Sequence, residues 1–331
     1  GPWLLAAVVV FFVVRAFLAE VFVIPSGSMI PTLLPRDRVI VVKPGGSGMP
    51  ERWRIATFEK NGVTYVKRAV GLGGESFALV DGDVYVNGDL VAKPDDVREA
   101  LRFPYRRWDL TDAEDAADWA RTTADDGAET WTWAGPPLWS AGILHPRRPS
   151  TDVPLRDVYA TLTVDRPAGA EVVLALDFAR TDDTFTGEEQ DLVLRVTDQR
   201  VTVGTHTAQA GGGNPLPGTP PAPGRTKLIL SCVDGVWRAA VGDGRLEGTV
   251  TLAPGLAVQP RLVLGEDVRP LELGRAQVIH YCLAGVRAGP GHVSDGAPGS
   301  VAVAMPLGHV VLLGVNTHDS RDRRFRTLGP V

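Results

Sequence analysis

Cysteine and histidine are scarce in this sequence, and their positions form no metal-binding pattern. The chain has two cysteines, Cys232 and Cys282, and six histidines among its 331 residues. Neither cysteine belongs to a Cys-x-x-Cys pair and the histidines are scattered, so a structural zinc site is not expected. We therefore assign no metal and no cofactor to the chain.

Neither sign of charge dominates the composition. The 34 lysines and arginines and the 39 aspartates and glutamates leave a formal net charge of −5, and the two signs are mostly interspersed. The one arginine-rich stretch, Arg321 to Arg326, is too short to indicate a nucleic-acid surface. We therefore expect no nucleic-acid partner.

Long apolar runs are limited to the N-terminus. Trp3 to Val14 is uninterrupted, Arg15 breaks the run, and Phe17 to Ile24 resumes it. A bilayer span needs about 20 predominantly apolar residues, so the run is slightly short, although an arginine can extend its charge to the headgroups. Since the chain starts at Gly1 and not at Met, we expect further residues upstream. The run predicts a transmembrane anchor over residues 1–22, with a cleaved signal peptide and a buried core helix as the alternatives.

Glycine and proline are abundant, with 37 and 26 residues, which favours turns and short strands over long helices. After the apolar run the chain alternates between β-like runs and turn signals such as Asn61-Gly62. Strands are predicted at residues 38–43, 53–58, 63–70, 76–80 and 84–86. Lys67 is therefore expected in a strand.

The middle of the chain, from Asp95 to Ser300, contains many short alternating apolar runs separated by turn signals. This pattern favours a β-sandwich or jelly roll. One exception is Leu110 to Thr122, where an acidic start predicts a short amphipathic helix. The hairpin around Asp234-Gly235 loosely resembles laminin-G or concanavalin-like lectin domains.

Tryptophans are grouped in the same middle region. Trp131, Trp133 and Trp139 lie in a stretch rich in glycine and proline. Exposed tryptophans can stack on sugars, and buried ones fill a core. We favour core packing for these three residues.

The segment from Ile24 to Leu33 holds two serines in a rigid turn. Ser26 and Ser28 are two positions apart, with Gly27 between them and a proline on either side. Proline fixes φ and glycine permits unusual backbone angles, so such a turn can present a hydroxyl outward, as a nucleophile requires. A linker leaving the anchor is the alternative for this stretch alone.

Two distant stretches complete a recognisable set. Lys67 lies in an apolar run that continues through Arg68 to Gly71, and a polar segment occupies residues 314–324. Together with residues 28–33, which read Ser-Met-Ile-Pro-Thr-Leu, these stretches resemble the three boxes of the type I signal peptidases. These are membrane-anchored Ser/Lys proteases that remove signal peptides from exported proteins. The resemblance covers the beginning and the end of the chain but not its middle.

The resemblance implies a role for each matching residue. Ser28 would be the nucleophile and Lys67 its general base, while the Ser28 backbone N–H and the Ser26 hydroxyl would form the oxyanion hole. The third box would supply Ser320 to orient the lysine amine, and as structural support Asn316, Asp322 and Arg324.

A lysine can act as a base only when it is neutral. Burial among apolar groups can lower the pKa of a lysine by roughly 3 to 5 units, and Val66, Ala69 and Val70 would supply such surroundings for Lys67. Successive side chains of a strand point to opposite faces. Arg68 is therefore expected to point away from Lys67 and to stay in solvent.

Two positions depart from the family pattern. Val315 stands where the third box usually has Asp, and Arg323 where it often has Ser. The first departure removes a supporting hydrogen bond and leaves the Ser/Lys pair intact. His318-Asp319-Ser320 invites a Ser-His-Asp interpretation, but adjacent residues do not easily adopt the geometry of a triad.

The sequence thus predicts a mainly β protein. It would have a transmembrane anchor at residues 1–22, a signal-peptidase-like catalytic core at residues 23–95 and 300–331, and an inserted β-sandwich or jelly-roll-like domain at residues 96–299. Cys232 and Cys282 each fall in a predicted strand. Either they bridge the sandwich on the exported side, where disulfides persist, or they are two reduced buried cysteines.

The expected function is that of a signal peptidase in the cytoplasmic membrane, with its catalytic domain on the exported, periplasmic side. Its partners would be membrane lipid and preproteins with small-x-small cleavage sites, commonly Ala-x-Ala. A self-cleaving repressor protease, which also uses Ser and Lys, would need an N-terminal DNA-binding helix pair, and an apolar run stands there instead. The other alternative is a membrane-tethered binding protein that uses the sandwich to hold a carbohydrate or protein ligand and has a degenerate protease core.

Overall fold

The computed structural model describes residues 2–43, 48–60, 62–80, 83–134, 156–180, 190–205, 213–252, 256–278, 303–304, 307 and 310–313. Strands predominate in it, as the composition predicts. The chain divides into two compact units, one comprising Gly1–Leu101 with His280–Val331 and the other Arg102–Ile279.

The N-terminal apolar run forms a short helix, α1 (Pro2–Val13), which a π-helical turn continues over Val14–Leu18. All residues of α1 are exposed. The next residues form a strand, Ala19–Val23, so the expected anchor over residues 1–22 is helical only as far as Leu18. Among the described residues, none of the helices has the length and apolar character needed to cross a bilayer.

Two further helices follow, α2 (Asp95–Leu101) and α3 (Ala113–Ala116). In chain order the strands are β1 (Ala19–Val23), β2 (Arg38–Val42), β3 (Ile55–Lys60), β4 (Val63–Leu72), β5 (Ser76–Val80), β6 (Asp83–Val86), β7 (Asp89–Leu90), β8 (Arg102–Asp109), β9 (Trp119–Thr123), β10 (Glu129–Trp133), β11 (Val158–Arg166), β12 (Val172–Arg180), β13 (Gln190–Val196), β14 (Val201–Thr205), β15 (Asn214–Pro215), β16 (Gly224–Val233), β17 (Val236–Val241), β18 (Gly244–Thr249), β19 (Leu256–Leu264), β20 (Arg269–Val278), β21 (Val303–Ala304) and β22 (Val310–Leu313).

In the first unit the strands form three small antiparallel sheets, β1–β2, β22–β4–β3 and β21–β5–β6–β7. Strand β4 is central in its sheet: Lys67 pairs with Ala56 of β3, and the next residue, Arg68, pairs with Leu313 of β22. The residues that follow in β4, Ala69 and Val70, are fully buried. A central strand with a buried second half is a firm support for the lysine side chain that it carries.

The second unit consists of two antiparallel sheets. Seven strands follow the order β15–β14–β13–β12–β19–β10–β9, and six follow β18–β17–β16–β11–β20–β8. Alternate residues of both sheets, such as Leu162, Leu174 and Leu230, are fully buried and belong to one hydrophobic core. Two sheets that share a core in this way support the β-sandwich interpretation of the middle region.

Tryptophans contribute to this core. The rings of Trp108, Trp119 and Trp133 meet edge to face, with centroids 5.3 to 5.7 Å apart, and Trp131 is buried in the same cluster. Core packing therefore accounts for the two predicted tryptophans that the structure describes. Trp139 lies outside the described residues.

The helix predicted over residues 110–122 is wrong in its length. Only the single turn α3 forms, and the Asp112 carboxylate caps it by accepting the backbone N–H groups of Glu114 and Asp115. Trp119 already belongs to β9 and is buried. The burial of this ring in the core outweighs the helical pattern of the surrounding sequence.

A buried arginine joins three loops of the second unit. Arg166 donates hydrogen bonds to the Asp198 carboxylate and to the carbonyls of Ala170 and Pro221. Its guanidinium, followed by the backbone N–H of Gly169, holds the pKa of the Asp198 carboxyl below its usual range. This pair therefore contributes stability above the usual aspartate pKa, and the contribution is lost as the pH falls towards the lowered pKa.

The first of the two cysteines is buried in a strand. Cys232 lies in β16 and belongs to the shared core. Cys282 falls outside the described residues. A bridge between the two therefore stays a prediction.

Candidate active site

Ser28 lies in a single 3₁₀ turn, Gly27–Met29, that follows β1. The backbone of Ser26 is extended immediately before the turn, and the Ile30 N–H closes it by donating to the Gly27 carbonyl at 3.1 Å. Ser28 is buried, whereas Ser26 is exposed. The two serines of the motif therefore stand in different environments.

The segment that contains this turn is closed at its base by backbone hydrogen bonds. The Ile24 N–H donates to the Asp37 carbonyl at 2.9 Å, and the Arg36 N–H donates to the Ile24 carbonyl at 2.8 Å. The Asp37 carboxylate also accepts the Leu34 N–H at 2.8 Å. The serine turn is thus part of a fixed loop between β1 and β2 and not an open linker.

The two residues that the sequence analysis paired are in contact. Lys67 Nζ lies 2.9 Å from Ser28 Oγ. Ser28 is 8% exposed and Lys67 is 6% exposed. A hydrogen bond of this length between a buried amine and a buried hydroxyl is suitable for proton transfer between them.

Ser26 lies beside the same pair. Its Oγ is 3.4 Å from Ser28 Oγ, which is longer than the usual distance between hydroxyl groups. Ser26 is exposed as a residue, and its hydroxyl is the donor in this long hydrogen bond. A carbonyl oxygen that approached Ser28 would also come close to the Ser26 hydroxyl.

The expectation that Arg68 stays in solvent is wrong. Its side chain is only 3% exposed. Nη1 donates to the Trp53 carbonyl at 2.6 Å and Nη2 donates to Thr32 Oγ1 at 3.1 Å. Strand alternation does not tell what covers a face, and here the covering residues are distant in the sequence.

The chain before β3 is attached to the strand that carries Lys67. The Trp53 N–H donates to the Ala69 carbonyl at 2.7 Å, and the Ala69 N–H donates to the Arg54 carbonyl at 2.9 Å. Arg52 Nη1 donates to the Val70 carbonyl. These bonds hold β4 in place directly after Lys67, and the sequence analysis did not identify them.

The third box lies outside the described residues. The last described residue before it is Leu313, at the end of β22. The orienting role of Ser320 and the supporting roles of Asn316, Asp322 and Arg324 therefore stay predictions.

Gly71 of the lysine box has a steric reason to be glycine. A Cβ at this position would lie 2.7 Å from Phe77 Cδ2 and 3.0 Å from Val311 Cγ2, and both neighbouring side chains are buried. Gly71→Ala should lower the free energy of unfolding by about 1–3 kcal/mol, as in other overpacked cores.

Thermal unfolding of the full chain tests this, with Gly48→Ala as the control because a Cβ at Gly48 would meet no atom within 4 Å. Equal unfolding temperatures for the two variants would contradict the packing described around Gly71.

Comparison with solved structures gives partial likenesses of low score. The Crh5 transglycosylase in complex with NAG matches with a TM-score of 0.36 and 11% identity, over 56% of this chain and 86% of that one. A Bacillus subtilis protein of unknown function with a galectin-like fold matches with a TM-score of 0.33 and 12% identity, over 53% of this chain and 96% of that one. Scores at this level establish neither fold nor function.

Curated relatives are similar to part of the chain. The Synechocystis protein named probable signal peptidase I-2 is 35% identical over 100 residues, which is 28% of this chain and 46% of that protein. Signal peptidase I of Bacillus licheniformis is 38% identical over 95 residues, which is 28% of this chain and 50% of that protein. Signal peptidase I of Pseudomonas aeruginosa is 37% identical over 98 residues, which is 24% of this chain and 34% of that protein. The chain thus spans half or less of the length of these relatives.

The family comparison covers the part of the chain that carries the described site. Residues 1–127 match the family described as signal peptidase, peptidase S26. This range includes Ser26, Ser28 and Lys67, and the curated relatives carry the same family name. The part of the chain that holds Ser28 and Lys67 is therefore similar to the type I signal peptidases.

Proposed function

We propose that this chain is a membrane-bound serine endopeptidase that removes N-terminal signal peptides from exported proteins. The observation that carries the proposal is the 2.9 Å contact between Lys67 Nζ and Ser28 Oγ. Free serine is a weak nucleophile, and a neighbouring base activates it. The burial of both side chains keeps competing water away from the proton that has to move.

The proposed reaction has two halves. Ser28 Oγ attacks the scissile carbonyl carbon while its proton passes to Lys67 Nζ, and the peptide C–N bond then breaks as Lys67 gives this proton to the leaving amine. The product is an ester between the signal peptide and Ser28. A water molecule, deprotonated by Lys67, hydrolyses the ester and restores the free hydroxyl.

The negative charge on the substrate oxygen needs hydrogen-bond donors. We assign this role to the backbone N–H of Ser28 and the hydroxyl of Ser26, which is exposed beside the nucleophile. Removing one such donor typically lowers kcat by about a hundredfold to a thousandfold. The proposed substrates are preproteins with small-x-small cleavage sites, because small pockets exclude larger side chains.

A membrane location is supported by the apolar surface of the first unit. The residues of α1 are exposed, and so are β1 and β2 side chains such as Val21 and Ile40, which face each other across the two strands. Exposed apolar surface of this extent is typical of a membrane or protein contact. We infer that this surface meets lipid of the cytoplasmic membrane, with the catalytic unit on its exported side.

The alternative function, a tethered binding protein with a degenerate protease core, has no comparable support. It would not require the buried contact between Ser28 and Lys67. Cleavage of a preprotein by the purified full chain tests the proposal. The peptidase proposal predicts processing at the signal peptide, and a chain that binds preproteins without cleaving them would refute it.

The second unit is proposed to be dispensable for chemistry. Replacing residues 102–279 by a Gly/Ser bridge should leave a folded core with measurable peptidase activity, because this unit has a hydrophobic core of its own. Removing residues 96–299, the insertion predicted from sequence, also deletes most of α2, whose Ala100 carbonyl accepts the Thr32 hydroxyl. The longer deletion should therefore be less active.

Preprotein cleavage and circular dichroism of the two deletions measure this difference. If no bridge length gave a folded protein without residues 102–279, the two units would have to depend on each other for folding, and the division would be wrong.

A further inference from the structure

Thr32, in the serine box, makes two side-chain hydrogen bonds to distant parts of the first unit. Its hydroxyl donates to the Ala100 carbonyl at 2.9 Å and accepts from Arg68 Nη2 at 3.1 Å. Ala100 belongs to α2 and Arg68 to β4. A hydroxyl has one proton to donate, so the Ala100 contact uses its only donor, and Arg68 occupies one of its two acceptor positions.

The serine side of this link is short and stiff. Thr32 follows Ser28 by four residues. The N–H of the next residue, Leu33, donates to the carbonyl of Met29 in the serine turn at 2.9 Å. Movement of Thr32 is therefore passed to the turn that holds Ser28.

The lysine side is equally direct. Arg68 is the residue after Lys67 in a central strand, and its Nη1 donates to the Trp53 carbonyl at 2.6 Å. The Trp53 N–H in turn donates to the Ala69 carbonyl at 2.7 Å. The guanidinium is thus fixed at one end to the strand of Lys67 and at the other to Thr32.

We propose that the Thr32 hydroxyl and the Arg68 guanidinium form a positioning link that sets the separation of Ser28 Oγ and Lys67 Nζ. Neither residue touches the reacting atoms. The link joins the segment of the serine turn to β4 by a second contact besides the dyad, so that the turn cannot move away from β4. This inference rests on the proposed function, since it concerns the geometry of the Ser/Lys pair.

The test compares two substitutions of Thr32 in the full chain. Thr32→Val keeps the shape of the side chain and removes both hydrogen bonds, whereas Thr32→Ser keeps the hydroxyl. We expect Thr32→Val to lower kcat for preprotein cleavage by at least about tenfold with KM within about twofold, as expected when only transition-state geometry is lost. Thr32→Ser should stay within about threefold of the wild type.

A matched control is Thr64→Val, which makes the same change at an exposed position of β4. It should leave kcat unchanged. Unfolding temperatures of all variants show whether a loss of activity reflects unfolding. If Thr32→Val does not fold, Arg68→Lys takes its place in the test. It should then lower kcat by at least about tenfold with KM within about twofold, because one ammonium group lacks the guanidinium fork that reaches both acceptors.

The double variant Thr32→Val/Arg68→Lys gives an independent readout. If the two residues form one link, its kcat should be close to that of the lower single variant, and additive losses would contradict the link. Wild-type kcat in Thr32→Val, equal losses in the Val and Ser variants, or a loss confined to KM would each overturn the inference. In all these cases Ser28→Ala reports separately on the proposed function, because an active Ser28→Ala would refute the peptidase mechanism itself.

Discussion

Replacing Ser28 or Lys67 by alanine should each lower kcat/KM for preprotein cleavage by at least about a thousandfold. The structural reason is the buried contact between Lys67 Nζ and Ser28 Oγ. Without Ser28 no acyl ester can form, and without Lys67 the described residues offer Ser28 Oγ no basic side chain within hydrogen-bond distance to take its proton. Both variants should keep the fold, since each removes side-chain atoms and leaves the backbone bonds of the site in place.

The Ser28→Ala/Lys67→Ala double variant should be no less active than the lower single variant, because residues that act as one unit are not additive. Suitable controls are Ser76→Ala in β5 and Lys227→Ala in β16, which make the same changes outside the two catalytic motifs. Near-normal cleavage by either dyad variant would show that the chemistry is done elsewhere.

The second large effect is on the stabilisation of the substrate oxygen. Ser26→Ala removes the hydroxyl that we assign as a hydrogen-bond donor to this oxygen, so it should lower kcat for preprotein cleavage by about a hundredfold to a thousandfold. Initial rates on one preprotein, with the unfolding temperatures of variant and wild type, measure this.

The Gly48→Ala variant, in which an added Cβ meets no atom within 4 Å, should keep the wild-type kcat. A Ser26→Ala variant with the wild-type kcat would contradict the role assigned to this hydroxyl.

The Ser28 and Lys67 pair could be found from sequence because each lies in a short motif whose order along the chain is informative. The turn residues Gly27 and Pro31 signalled a rigid serine, and alternation placed Lys67 in a strand. Both features are local. Their 2.9 Å contact joins residues 39 positions apart, and only the resemblance to a family linked them before the structure did.

The environment of Arg68 could not be predicted in the same way. Its direction follows from the period of a strand, but its burial depends on Thr32 and Trp53, which come from other segments. Periodicity describes which face a residue occupies and not what covers that face. The Thr32 link was missed for this reason.

The second unit shows the same division between local and distant information. Alternating apolar residues predicted strands such as β11 and β16, and these form. The order of the sheets was not predicted, because β11 lies between β16 and β20, which follow it only much later in the chain. The helix expected near Trp119 failed where the burial of its ring against Trp108 in the core outweighed local propensity.

The most direct test of the Ser/Lys mechanism is to trap the acyl ester and map its position. The full chain would be reacted with an activated ester of an Ala-x-Ala peptide and digested, and the adduct located by mass spectrometry. The mechanism predicts one adduct, on Ser28, which forms at least about a hundredfold more slowly in Lys67→Ala. An adduct on another residue, or equally fast formation in Lys67→Ala, would contradict it.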